Sequence, residues 1–170
     1  LRWRGFEVIG LLSIAASPLV MGTGLFIIVY PFVDPALLAL PVTALVNAVM
    51  SLPFLLRILL PAIRDAERRF GHLATSLGLV GWRRFTVVIL PRIRTEVGFA
   101  AGLCAALSMG DLGVITLFSA PDTVTLPLEM YRLMGAYRMD QAMGAAVLLL
   151  GLSLGLFYLF DKGGRWRADA

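Results

Sequence analysis

Few side chains in this sequence could do chemistry, and they are widely separated. The chain has one histidine, His72, and one cysteine, Cys104, so neither a disulfide framework nor a cysteine metal cluster is available. A catalytic Ser/His pair requires a histidine beside the serine, whereas His72 is remote from Ser108 and Asp111 in the order of predicted elements. No glycine-rich phosphate loop is present, and Lys162 is the only lysine, so any ATP hydrolysis would belong to a partner.

Two polar side chains draw attention because they lie inside long apolar blocks. Asn47 falls near the middle of one block, and Asp111 is the one charge between residues 97 and 121. Within a membrane such groups need a partner or water. Asp111 either bonds a helix end or an arginine, or lines a substrate path or outer gate, and both readings stay open. Pro18 and Gly113 complete the path or gate candidates. Pro18 is either a simple kink or a flexible point on that path.

The composition places these residues in a membrane protein. Apolar residues make up 59% of the chain and charged residues 15%, with a mean hydropathy of +0.85, which excludes a soluble globule. A bilayer core of ~30 Å needs about 20 helical residues. Four blocks meet this length: 8–33, 35–56, 97–121 and 141–160. The sequence therefore predicts one all-α integral membrane domain, residues 1–170, built on a bundle of about four transmembrane helices.

The basic residues predict the orientation of this bundle. Alternate grouping of the polar segments puts twelve Arg and Lys residues on one side and only Arg132 and Arg138 on the other. The positive-inside rule then places both termini and the central loop in the cytoplasm. The net charge of +4 follows from this topology, and nucleic acid is not an expected partner. On the outer side, Leu126, Met130, Leu133 and Tyr137 recur at helical spacing, which predicts a short amphipathic or re-entrant helix that starts at Thr125.

The longest polar interval, Pro61 to Glu96, carries seven arginines and is predicted to be a cytoplasmic loop of two short helices. The first is predicted over Ala66 to Leu77, with an apolar face that could dock on a partner. That face consists of Phe70, Leu73, Ala74 and Leu77. Gly78 would end this helix in the left-handed conformation, and a second helix from Trp82 to Leu90 would lead to Pro91.

This interval resembles the cytoplasmic loop signature of ABC importer permeases, which runs Glu-Ala-Ala, three residues, Gly, nine residues, Ile-x-Leu-Pro. Gly78, Leu90 and Pro91 fall in register, Ala74 keeps the second alanine, and Val88 replaces the isoleucine. His72 and Leu73 stand where the glutamate and first alanine would be. The resemblance implies a loop that couples the membrane domain to an ATPase subunit, formed by Phe70, His72, Leu73, Ala74, Leu77, Gly78, Leu90 and Pro91.

Three further runs resemble the C-terminal half of the permeases of thiamine ABC importers. They are Ser76–Trp82, Leu107–Phe118 and Thr125–Tyr131 with Gly135–Arg138. The resemblance implies a bacterial inner-membrane permease half that carries thiamine or its phosphates and binds no cofactor or metal itself. The implied partners are an ATPase dimer, a periplasmic binding protein, a second permease half (fused or separate) and membrane lipids. A permease for ferric iron, sulfate or polyamine is the alternative, and an integral membrane enzyme or scaffold subunit is the different class.

Overall fold

The computed structural model describes residues 17–118 and 125–166, and these ranges are almost entirely helical, without a strand. The all-α class is therefore confirmed. The helices are α1 (Pro18–Val29), α2 (Ala39–Ser76), α3 (Gly81–Arg84), α4 (Arg94–Met109), α5 (Ile115–Phe118), α6 (Leu126–Gly135) and α7 (Met139–Trp166). A 3₁₀ turn, Pro35–Leu38, precedes α2, and a π-helical turn, Phe85–Ile89, continues α3.

Helix α2 is far longer than a membrane span. Its start is prepared by Asp34, whose Oδ1 accepts a hydrogen bond from the Ala36 N–H at 3.0 Å. At 1.5 Å per residue, its 38 residues extend over ~57 Å. The prediction of a separate short helix over Ala66 to Leu77 is wrong, because this segment is the end of α2. The helix continues from the apolar part into the polar residues through Pro53 and Pro61, both of which lie inside it.

Two helices in the described ranges are long and apolar enough to cross a membrane, residues Pro35–Ser76 and Met139–Arg165. Only 6% of the most apolar window of the second is buried in the fold, so this helix is not the core helix of a soluble protein. Helix α1 is apolar but has only 12 residues, and residues 8–16 of the first predicted span lie outside the described residues. The count of four transmembrane helices stays a prediction.

Helices α4 and α7 pack with their backbones in close approach. A Cβ added to Gly98 would lie 2.7 Å from the Phe160 carbonyl oxygen and 2.8 Å from the Gly164 Cα. One turn further, a Cβ on Gly102 would lie 2.9 Å from the Phe157 carbonyl oxygen. The prediction that Gly98 and Gly102 form a small-residue step for another helix is thereby confirmed.

The main apolar core joins α1, α2, α5 and α6. Val46, Val114 and Ile115 have no exposed surface, and Phe118 is 2% exposed. The Phe118 ring also meets the edge of Phe26 at a centroid distance of 5.3 Å. Although α5 has only four residues, Ile115 and Phe118 lie in this cluster together with Val114, the residue just before the helix.

Candidate functional site

The third apolar block is broken in the middle, and Asp111 lies in the break. Helix α4 ends at Met109 with Gly110 as its C-cap, and α5 begins only at Ile115. The interpretation of residues 97–121 as one continuous helix is therefore wrong. The Asp111 carboxylate makes the turn itself, since its Oδ1 accepts a hydrogen bond from the Gly113 N–H at 2.9 Å.

The structure brings the four path candidates together. Pro18, Asn47 and Asp111 line one cavity of about 400 Å³. Gly113 lies beside it, because a Cβ added there would be 3.4 Å from Asp111 Oδ1 and 3.8 Å from Pro18 Cβ. These residues come from α1, α2 and the break after α4, so three separate elements build one site.

A hydrogen bond that the sequence analysis missed connects two of these elements. Asn47 Nδ2 on α2 donates to Ser108 Oγ on α4 at 3.0 Å. Asn47 is only 9% exposed, and this hydrogen bond gives it a partner inside the fold. The prediction that the side chain needs a partner is confirmed. Ser51 was also missed. It is 7% exposed and lines the same cavity, and its position one turn after Asn47 was the signal that could have identified it.

A second cavity of about 340 Å³ shares three lining residues with the first. Asn47, Ser108 and Asp111 line it together with Thr125, the residue before α6. Two buried oxygens here, Asp111 Oδ2 and Thr125 Oγ1, have no hydrogen-bond partner in the described part of the chain. Buried polar atoms are normally paired, so the site retains hydrogen-bonding capacity that the fold does not use. The arrangement can accommodate a solute that offers a positive charge or donors.

The turn after α2 has the predicted conformation. Gly78 has φ of +67°, and the two bonds of a Schellman cap surround it. Leu79 N–H donates to the Ala74 carbonyl at 2.9 Å, and Gly78 N–H donates to the Thr75 carbonyl at 3.0 Å. Gly81 is the first residue of α3 and has φ of +57°, and Val80 before it is extended. Two left-handed glycines therefore reverse the chain at this tip.

The apolar face predicted for docking is divided by the fold. Leu73 and Leu77 are 61% and 73% exposed, but Ala74 is 1% exposed. Phe70 is covered by Arg92, whose guanidinium carbon lies 3.8 Å from the ring centroid. The prediction that Ala74 belongs to an exposed docking face is wrong, because Ala74 is buried inside the reversed segment. The exposed residues of this tip form an apolar patch, defined as Leu73, Leu77, Val80 and Trp82.

The second half of the loop folds back onto α2. Ile89 and Ile93 pack against Ala66 in a small buried cluster. The returning segment also places Arg84 over Gly71, where an added Cβ would lie 2.9 Å from the Arg84 Nη2.

The other predicted loop residues lie around this folded tip. His72 lines an open groove on the polar side of α2, next to Arg68 and Arg84. Leu90 and Pro91 form the partly buried turn into α4, with the Leu90 N–H donating to the Phe85 carbonyl at 2.8 Å.

The short helix predicted after Thr125 is present as α6. Thr125 is its N-cap, and Leu128 on its inner side is buried against the main core. The helix ends at Gly135, and Tyr137 lies beyond it with φ of +59° and 89% exposure. The prediction that the apolar face of this helix extends to Tyr137 is therefore wrong. The predicted start and the amphipathic character of this segment are confirmed.

These features define an all-helical, membrane-embedded protein with a polar cavity at a helix break and a long helix that ends in a reversed tip. Over 97% of its length, the chain is 38% identical to the thiamine transport system permease protein of Brucella abortus. It is 33% identical over 92% of its length to the corresponding protein of Escherichia coli. The chain is thus homologous to thiamine transport permeases, and the resemblance noted in the sequence is confirmed.

The chain spans only about 30% of the length of these relatives. A chloroplastic sulfate permease of Chlamydomonas reinhardtii is also similar, at 34% identity over 70% of this chain. No family model matches the sequence, and no solved structure gives a significant match.

Proposed function

We propose that this chain is part of the membrane permease of an ATP-driven ABC importer for thiamine. The observation that carries the proposal is the 38% identity, over nearly the whole chain, to a thiamine transport system permease. In this proposal the chain is the second half of a larger permease, in the bacterial inner membrane, with both termini in the cytoplasm. A periplasmic binding protein delivers the solute, and a separate ATPase dimer hydrolyses ATP.

The reversed tip of α2 and α3 is the proposed ATPase contact. Its apolar patch exposes Leu73, Leu77 and Trp82 by 61%, 73% and 77%, although the tip lies beyond the apolar part of α2. Large apolar side chains exposed together outside the membrane mark a protein interface. The fold of the tip supports this role, because the Gly78 turn and the cluster around Ile89 hold the patch in one conformation.

Uptake and assembly test the proposal together. The full-length permease, reconstituted with its ATPase and binding protein, should take up labelled thiamine only with ATP. Leu73→Glu should release the ATPase subunit in detergent, because a carboxylate in an apolar contact loses its hydration. Thr75→Glu is the matched control, since Thr75 is exposed on the opposite side of α2.

Two results would contradict these assignments. A wild-type complex that imports no thiamine would refute the proposed substrate. Equal retention of the ATPase subunit by Leu73→Glu and by wild type would refute the patch as its docking surface. Sulfate is the second candidate solute, because a sulfate permease is among the relatives, and it should be measured in the same vesicles.

A further inference from the structure

Among the described residues that line the two cavities beside it, Asp111 is the only charged side chain. Its Oδ2 is inaccessible to solvent and lacks a hydrogen-bond partner within the described residues. One carboxylate oxygen therefore accepts the hydrogen bond from Gly113 that closes the turn. The other oxygen has no hydrogen-bond partner in this part of the chain and lies among mostly apolar side chains. Charge interactions are strong there because the surroundings screen them weakly.

We infer that this site binds a singly charged organic cation, with Asp111 as its counter-charge. The inference rests on the proposed function, and it specifies the form of the solute that the site accepts. The cavity of about 400 Å³ lies within the size range of small-molecule sites. Its wall includes Phe54 and Met50, and an aromatic ring attracts a cation through its π face.

The polar groups of the site suit a flat solute with a few hydrogen-bonding atoms. Asn47 uses one amide hydrogen for Ser108, which leaves its other hydrogen and its carbonyl oxygen for a ligand. The Ser51 hydroxyl lines the first cavity, and the Thr125 hydroxyl lines the second. Thr125 Oγ1 has no hydrogen-bond partner among the described residues. These groups can orient a ring that bears nitrogen atoms and a hydroxyl.

The same features disfavour the other classes of solute. A bare multivalent metal ion requires several oxygen or sulfur ligands, and no group of three or more His, Cys, Asp or Glu side chains in the described ranges could supply them. Sulfate would bring negative charge next to Asp111. A polyamine carries several positive charges, and the described lining of the two cavities offers one carboxylate. Thiamine, with its single thiazolium charge, matches best.

The first test compares charge variants in the complete transporter in proteoliposomes. Asp111→Asn should lower thiamine uptake per folded permease by about tenfold, while Asp111→Glu should retain most of it because the charge is kept. Asp34→Asn is the matched control. Asp34 accepts the same kind of backbone bond, at 3.0 Å from Ala36, but it is exposed and lines neither cavity. Equal uptake by Asp111→Asn and Asp34→Asn would overturn the inference.

The second test uses the wild-type complex, so that loss of structure in a variant has no influence. A hydrophobic carbodiimide should modify Asp111, and peptide mass analysis gives the modified fraction. Thiamine should slow this modification several-fold, whereas sulfate and a neutral analogue with thiophene in place of thiazolium should not. No protection by thiamine, or equal protection by the neutral analogue, would overturn the inference. Because this readout requires no transport, it separates failure of the inference from failure of the proposed function.

Discussion

Tyr137 is a residue held in a conformation that its side chain disfavours. It lies just beyond α6 with φ of +59°, in a cap where Arg138 N–H donates to the Leu133 carbonyl at 2.9 Å. A left-handed conformation costs an L-residue with a Cβ roughly 1–2 kcal/mol, which glycine avoids. The ring is 89% exposed and packs on little that would repay this cost.

Tyr137→Gly should therefore stabilise the protein by up to ~1 kcal/mol, after allowance for the greater freedom of glycine in the unfolded chain. Ala136→Gly is the control, because Ala136 has φ of −85° and gains only that unfavourable freedom. Thermal unfolding in detergent should show a higher midpoint for the first variant and a lower one for the second. If both variants lower the midpoint, the left-handed strain at Tyr137 is refuted.

At the scale of elements, the crossing of α4 and α7 depends on missing side chains. Gly98→Ala would bring a Cβ to 2.7 Å from a backbone oxygen of α7, so the helices must separate. Overpacking of this kind typically costs ~1–3 kcal/mol. The yield of folded permease should fall and its unfolding midpoint should drop.

Gly155→Ala provides the matched control on the partner helix. A Cβ there meets nothing within 4 Å, and alanine favours the helix more than glycine, so the variant should equal or slightly exceed the wild type in yield and midpoint. Equal loss in both variants would show that any alanine in these helices is harmful, and normal behaviour of Gly98→Ala would refute the close crossing.

At the scale of the whole molecule, the proposed topology places the α2 tip and the end of α7 on one side of the membrane and the end of α6 on the other. Cys104 is the only cysteine of this chain, so its replacement by alanine leaves this part of the permease without a thiol. Single cysteines at Ser76, Lys162 and Ala136, all exposed, then report each side. In a cell with an intact inner membrane, an impermeant maleimide should label only the cysteine at Ala136.

After permeabilisation the cysteines at Ser76 and Lys162 should react as well, because their exclusion depends only on the membrane. The Cys104→Ala parent, in which this part of the permease has no thiol, sets the background. If the impermeant maleimide labelled Lys162→Cys in intact cells, the predicted orientation would be wrong. That orientation rests on the unequal distribution of arginine and lysine.

The sequence by itself determined the properties that depend on local composition and spacing. Long apolar blocks indicated membrane helices, because the bilayer imposes a fixed length. Gly78 indicated a left-handed turn because only glycine adopts it without cost, and Gly98 with Gly102 indicated a close helix contact. Asn47 and Asp111 were found because a polar group in an apolar block requires a partner.

Tertiary structure decided what depends on elements far apart in the chain. The fold, and not the spacing, buried Ala74 and left Leu73 exposed, because the returning segment covers one side of α2. Helical periodicity did not reveal the break at Asp111, since this break is held by the packing of Val114, Ile115 and Phe118 into a core shared with other helices. Ser108 became the partner of Asn47 only when α2 met α4, 61 residues later. Local signals report what a segment requires, whereas its partner is chosen by the packing of the whole chain.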